Sequence, residues 1–326
     1  MEKSVRHYSI PVFVPHEGCP NTCLFCNQRK ISGKTHFRIE SVREEIDTCL
    51  STIPEGSDVQ IAFFGGSFTA IDRSLMLSLL EISDSYVETG RVGSVRLSTR
   101  PDAVGEDILE TLKHHHVQDI ELGIQSLDDG VLLKNARGHN AETSLDAMKR
   151  VVEYGFRLTG QMMTGMYTAT PESELETARA IVSSGAVSSR IYPTVVFRDT
   201  GLEALVKNGE FIPLTLEESI ERTLAVYRVF KEADVKVLRI GLCSTDGVRG
   251  EDTVSVYDEA MGERILSRDR RDILERELEK LDFKKGDTVE LPVPRKEIST
   301  SVGFKRENRE YLEKKFGIRL KFKGTL

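Results

Sequence analysis

No stretch of the 326-residue chain comes near the ~20 consecutive apolar residues that a membrane-spanning helix needs, and the N-terminus has no signal-peptide apolar run. The expectation is therefore a cytoplasmic protein with no membrane partner. Internal repeats and low-complexity tracts are absent. An excess of positive charge is absent too: the net charge is −7, so nothing global announces nucleic acid. Cysteine is scarce. The five present are odd in number, and three crowd into Cys19–Cys26, which is no disulfide framework for a reducing compartment. The remaining composition, 39% hydrophobic and 30% charged, fits one large globular domain or a large domain with an appendix.

Charge is unevenly spread. From Leu291 onward ten Lys/Arg face four Glu. That imbalance suits either a solvated amphipathic surface or a phosphate-contacting patch.

Short β-branched runs alternate with longer amphipathic segments. Strands are expected near Ser9–Val14, Val59–Phe64, Ser94–Ser98, Asp119–Gly123, Leu158–Met163, Arg190–Val196 and Val235–Ile240. Helices are expected near Ser41–Ser51, Asp72–Val87, Glu106–His114, Ala141–Tyr154, Pro171–Ser184 and Leu216–Ala233. Ser41 with Glu44 and Thr215 with Glu218 have capping-box spacing, and Pro171 suits a first helical position. Such alternation implies a parallel sheet with outer helices, doubly wound or closed as a barrel, with chemistry at the C-terminal strand ends. The cysteines, Gly65-Gly66, Ser98-Thr99-Arg100, Gln125 and Gln161 all fall at such ends. After about Glu251 the pattern changes to a charged helix near Tyr257–Leu281, a strand at Val289–Val293, a helix near Val302–Phe316 stopped by Gly317, and a strand at Arg319–Phe322. Residues 1–250 are thus read as one domain and 251–326 as a small α/β extension.

Cys19, Cys23 and Cys26 have C-x3-C-x2-C spacing. Thiolates suit zinc or iron–sulfur clusters. Structural zinc wants four protein ligands, and the fourth would have to be His16, Cys49 or Cys243. A cubane cluster on three cysteines leaves one iron open to a small molecule.

Placed after the first strand of an α/β chain, this loop resembles the signature of radical S-adenosylmethionine (SAM) enzymes. The resemblance implies a partial (β/α)6-type TIM-like barrel and a [4Fe-4S] cluster whose open iron binds SAM. It also implies reductive cleavage of SAM to methionine and a 5′-deoxyadenosyl radical, fed by an electron donor such as a flavodoxin or ferredoxin. Phe64-Gly65-Gly66-Ser67 resembles the glycine motif that meets the methionine amino group, with Ser67 where many members carry an acid. The chain also resembles oxygen-independent coproporphyrinogen dehydrogenase, and that resemblance implies cluster and adenine contacts for Phe13 and Phe25, a SAM contact for Gln125 and the SAM carboxylate for Arg137. Ser98 stands at a Glu position and Gln161 at a ribose-binding Asp position.

Ser98-Thr99-Arg100-Pro101-Asp102, Arg137-Gly138-His139, Arg190-Ile191-Tyr192-Pro193-Thr194 and Arg198-Asp199-Thr200-Gly201-Leu202 resemble the elongator catalytic subunit and its prokaryotic relatives across residues 8–245. That group acts on the wobble uridine of tRNA with an acetyltransferase domain, which the roughly 75 residues after the barrel do not provide. The implied substrate is a nucleobase in tRNA or a small molecule derived from one. A tetrapyrrole or a free deazaguanine base is the alternative, and a non-catalytic iron–sulfur or zinc protein is the alternative of another class. Arg100, His139, Tyr192, Arg198, Arg239 and Cys243 are the candidates for substrate contact. The run His114-His115-His116 closes a helix and is read as structural.

Overall fold

The computed structural model describes residues 6–14, 23–27, 37–242 and 250–325. Strands β1 (His7–Val14), β2 (Asp58–Gly65), β3 (Ser94–Thr99), β4 (Val117–Gln125), β5 (Arg157–Thr164), β6 (Ser188–Pro193) and β7 (Lys236–Ile240) form one sheet in that order. Every neighbouring pair is parallel. Sequential order with crossovers of one hand puts all connecting helices on one side, and strand twist curls the sheet around the other. The product is a half-barrel with β1 and β7 at its edges, one strand beyond the six of the (β/α)6 type.

Side-chain alternation explains the two faces. Ile10, Val12 and Val14 of β1, Val59, Ile61 and Phe63 of β2, and Ile120, Leu122 and Ile124 of β4 are buried in one apolar core. Val42 and Ile46 of the helix Ile39–Thr52, and Leu79 and Leu80 of the helix Arg73–Glu88, complete it from outside. Many of the alternate positions from β2 to β6 are polar: Gln60, Ser94, Arg96, Ser98, Asp119, Glu121, Thr159, Gln161, Ser188, Arg190 and Tyr192. Parallel strands covered on both faces read as unbroken apolar runs. Here the runs of β3, β4 and β6 are interrupted by polar residues because the concave face is a cleft.

Helix starts follow the sequence at two of three expected places. Thr215 and Glu218 make a reciprocal capping box, and Pro171 opens its helix behind the cap Thr170. Ser41 is not a cap: the helix begins at Ile39, and the Ser41 hydroxyl donates to the Arg38 carbonyl. The expected helix Val302–Phe316 is two pieces, Ile298–Val302 and Glu307–Phe316. Gly303 (φ +85°), Lys305 (+48°) and Arg306 (+72°) break the helix between them.

The helix Met261–Leu278 serves two cores. Met261 and Ile265 pack on Ile220 and Leu224 of the helix Leu216–Glu232. Leu274 and Leu278 join a separate core with Leu291, Val293, Leu312, Ile318 and Leu320. Strands β8 (Thr288–Pro294) and β9 (Arg319–Thr325) pair in parallel over this second core. No helix among the described residues is long and apolar enough to cross a membrane.

Candidate active site

The cysteine loop follows β1. Cys19 lies outside the described residues, while Cys23 is buried and Cys26 half-buried. The Cys26 N–H donates to the Cys23 carbonyl at 3.0 Å, so the C-x2-C spacing is a tight turn with a cysteine at each end. Two backbone hydrogen bonds clamp that turn. Leu24 N–H donates to Asn135 O at 3.1 Å, and Leu202 N–H donates to Leu24 O at 2.9 Å. Asn27 adds a side-chain bond to the Arg198 carbonyl at 3.2 Å. Gly201 permits this approach, because a Cβ there would overlap the Leu24 side chain. Phe25 sits inside the turn, half-buried.

On the other flank, buried Asn135 gives its amide N–H groups to Val131 O (2.7 Å) and Tyr167 O (2.9 Å). The loops after β4 and β5 are thereby tied to the cysteine turn. Sequence reasoning passed over Asn135 and Leu24; only the proximity of Asn135 to Arg137 hinted at the first.

Gly65 ends β2 at φ +123°, and a Cβ there would run into the Val14 carbonyl oxygen. The Phe13 ring stands 3.2 Å from that Cβ position, and Gly66 N–H donates to Val14 O at 3.3 Å. Only glycine meets both the φ and the close approach. Ser67, buried, opens the short turn Phe68–Ala70. The Ser98 hydroxyl, at the end of β3, is buried with no hydrogen-bond partner among the described residues.

β4 ends in a strained turn. Gln125 has φ +68°, and Ser126 N–H closes on Ile124 O at 2.9 Å, a γ-turn of the rare positive-φ form. A register shift between Gly123 and Gln125 accompanies it. Arg137 arrives from the following loop. Its guanidinium donates to the Cys23 sulfur at 3.5 Å and to the Gly123 carbonyl. A Cβ on Gly123 would lie 2.9 Å from Arg137 Nη2 and 3.1 Å from Gln125 Nε2, so this glycine makes the room in which the two side chains converge. Gln161, half-buried, sits opposite Gly123 in the β4–β5 register.

His139 bonds through Nδ1 to Ser144 Oγ (3.2 Å) and Asn140 O (3.3 Å), while Nε2 is buried without a described partner. Burial first, then the neighbouring Arg137 charge, lowers its pKa to about 4. The ring is neutral at physiological pH.

The remaining candidates divide. Arg100 is buried, and its Nε and Nη2 donate to the two carboxylate oxygens of Asp102. Tyr192 lies on the concave face, within 3.4 Å of Arg190 Nη1, and burial raises its pKa. Arg239, next to Arg190 in the β6–β7 register, donates to Gly241 O at 3.2 Å. Arg198 is exposed and its Nε donates to Glu251 O at 2.7 Å, which fastens two loops together. Cys243 lies outside the described residues. His114 and His115 are engaged at the helix end, by Glu110 O and Asp84, away from these groups.

One cluster was not anticipated. Glu121, almost fully buried, bridges Arg96 at 2.5 Å and Arg190 at 2.9 Å across the concave face. The Arg190 guanidinium also covers the Phe64 ring at 5.2 Å. The signal was present: polar residues repeat every second position through Ser94-Arg96-Ser98 and Asp119-Glu121.

At the C-terminal ends of β3 and β4, then, Ser98 Oγ, Gln125 Oε1, Arg137 Nε and His139 Nε2 are buried polar atoms without described partners. Buried polar groups are rarely left so. A cationic donor with hydroxyl, amide and imidazole partners, beside a buried thiol, suits a zwitterionic ligand next to a thiolate-held cluster. The residues present fit SAM and an iron–sulfur cluster.

Comparison with known proteins agrees. The family model of the radical SAM superfamily matches residues 13–181, and that of a radical SAM C-terminal domain matches 188–265. The chain is 26% identical over 265 residues to the tRNA uridine(34) acetyltransferase of Methanocaldococcus jannaschii, covering 68% of this chain and 49% of that protein. It is 26% identical over 161 residues to Elongator complex protein 3 of Homo sapiens, covering 45% of this chain and 29% of that one. The solved structure of archaeal Elp3 from Methanocaldococcus infernus superposes with a TM-score of 0.65 at 20% identity, over 83% of this chain and 64% of that one. Coproporphyrinogen III oxidase (HemN) from Escherichia coli superposes at 0.52 and 16% identity, over 70% and 53%. The chain spans about half or less of the length of these two curated relatives, and the structural likenesses speak to fold.

Proposed function

The chain belongs to the radical SAM superfamily and is a radical SAM enzyme, and from that premise we propose that it modifies a nucleobase in tRNA. The observation that carries the substrate is the similarity over 265 residues to a tRNA uridine(34) acetyltransferase. Acetyl transfer is not part of the proposal, because the chain spans only 49% of that relative.

Cys19, Cys23 and Cys26 would hold a [4Fe-4S] cluster. Gly65, Gly66 and Ser67 would receive the amino end of SAM, Arg137 and Gln125 its carboxylate end, and Gln161 its ribose, with Phe13 and Phe25 packing beside cluster and adenine. When bound, the pair supplies a 5′-deoxyadenosyl radical by reductive cleavage of SAM. The chain's own residues bind, orient and exclude water. The strained Gln125 turn and the Leu24 clamp hold Gln125 and the Cys23–Cys26 turn in place for the ligand. Neutral His139 presents Nε2 as a hydrogen-bond partner without adding charge beside Arg137. Tyr192 and Arg239 are the substrate-side candidates that the concave face favours; Arg100 and Arg198 are held by neighbours.

Residues 1–250 would carry this chemistry and 251–326 would assist it, with a flavodoxin or ferredoxin as electron donor in the cytoplasm. The test is incubation of the reconstituted protein with SAM, reductant and bulk tRNA, followed by nucleoside mass spectrometry. A new mass in digested tRNA, with more 5′-deoxyadenosine than without RNA, is expected. Active SAM cleavage that tRNA neither stimulates nor couples to a product would overturn the substrate.

A further inference from the structure

The outer face of β8 and β9 has no role in the cleft. Leu291, Val293 and Leu320 point into the small C-terminal core. The alternate residues, Thr288, Glu290 and Pro292 of β8 and Arg319, Lys321 and Lys323 of β9, are all exposed. Parallel sheets are almost always covered on both faces. This one is bare on one side, and the bare side is cationic.

Glu290 is its single carboxylate, opposite Lys321 in register. Lys321 and Lys323 form no ion pair with any described residue. Alternate residues along a strand face recur about every 6.6 Å, so long side chains can meet separate anionic groups along a line.

The rest of the chain sharpens the contrast. Ten Lys/Arg and four Glu from Leu291 onward leave +6, whereas residues 1–250, with 27 Lys/Arg and 35 Asp/Glu, carry −8 and residues 251–290 the remaining −5. A polyanion is repelled by the barrel and attracted by this face. The face is also held firmly against the barrel, because Asp269 of the shared helix pairs with Arg228 (2.9 Å) and Lys231 (2.5 Å).

We propose that the open face of β8–β9 docks the phosphate backbone of a folded RNA, so that the C-terminal unit holds the RNA while the half-barrel carries the chemistry. This rests on the reading of tRNA as substrate. Its test is equilibrium binding of bulk tRNA to the full chain across salt concentrations. The wild type is compared with the triple variant Arg319→Gln/Lys321→Gln/Lys323→Gln, with Lys323→Glu alone, and with Lys149→Gln as an exposed control on the helix Ala141–Glu153.

The triple variant should bind about tenfold more weakly, with a salt slope shallower by about one for each phosphate no longer neutralised. Lys323→Glu should move the same way by less, which keeps the test open if the triple variant folds poorly. Lys149→Gln should match wild type, and SAM cleavage without RNA should be the same in all. Steep wild-type binding that the β9 variants leave unchanged would overturn the docking face while sparing the tRNA substrate. Polyglutamate competing as well as tRNA at equal charge would assign the face to acidic proteins and overturn it too. Absence of salt-dependent wild-type binding would remove the tRNA substrate itself, and the docking face with it.

Discussion

The Arg137 guanidinium lies 3.5 Å from the Cys23 sulfur while its other end donates to the Gly123 carbonyl. One side chain thus spans from the end of β4 to the cysteine turn. Its Nε remains buried and without a described partner, so it retains a donor for a ligand carboxylate. Arg137→Lys keeps the charge and loses the planar fork. Loss of a charge-assisted bond of about 1.5–3 kcal/mol should raise the KM for SAM at least about tenfold. Cluster absorbance should survive. Unchanged SAM affinity in the variant would remove Arg137 from the carboxylate site.

Gly65→Ala should be far more damaging than its size suggests. The φ of +123° is closed to L-residues, and the added carbon overlaps backbone at Val14, which cannot swing aside as a side chain would. Apoprotein melting should fall steeply and cluster incorporation should fail. Gly56→Ala, at a positive-φ turn with open space around it, should cost only about 1 kcal/mol. Equal losses at the two sites would refute the close-approach explanation.

Glu121 holds two arginines on the concave face, with 3% of its side chain exposed. Glu121→Gln leaves both cations short of a counter-charge and should lower urea-unfolding stability by about 3 kcal/mol. The exposed pair Lys149–Glu153 gives the contrast: Glu153→Gln should change stability by less than about 0.5 kcal/mol.

The neutral His139 predicts a pH dependence. Its folded pKa, about 4, lies below the ordinary 6.5. The unfolded chain therefore binds more protons in that window. The contribution of His139 is full above pH 6.5 and is lost as pH falls toward 4. Apoprotein melting temperatures taken between about pH 7 and pH 4.5 should fall more steeply for wild type than for His139→Gln. Parallel curves would show that the ring is not held neutral by burial.

Much of this was legible in the sequence, for reasons visible in particular residues. All seven barrel strands were, because their outward residues are mostly apolar and their ends carry glycine or polar breaks. Strand limits were less so. β4 runs from Val117 to Gln125, two residues longer at each end than expected. The short helices Asp129–Lys134 and Gly201–Lys207 carry too few turns for periodicity to show. The glycine motif and the Arg137 loop declared themselves through resemblance. The Leu24–Asn135 and Leu24–Leu202 clamps did not, since they are made by backbone groups that any residue possesses.

Anaerobic reconstitution with iron and sulfide, followed by SAM and a strong one-electron reductant, addresses the radical chemistry most directly. Wild-type protein should form 5′-deoxyadenosine, and Cys23→Ala should lose both cluster and product. A wild-type protein that binds a four-iron cluster yet never cleaves SAM, where a control radical SAM enzyme does, would contradict it.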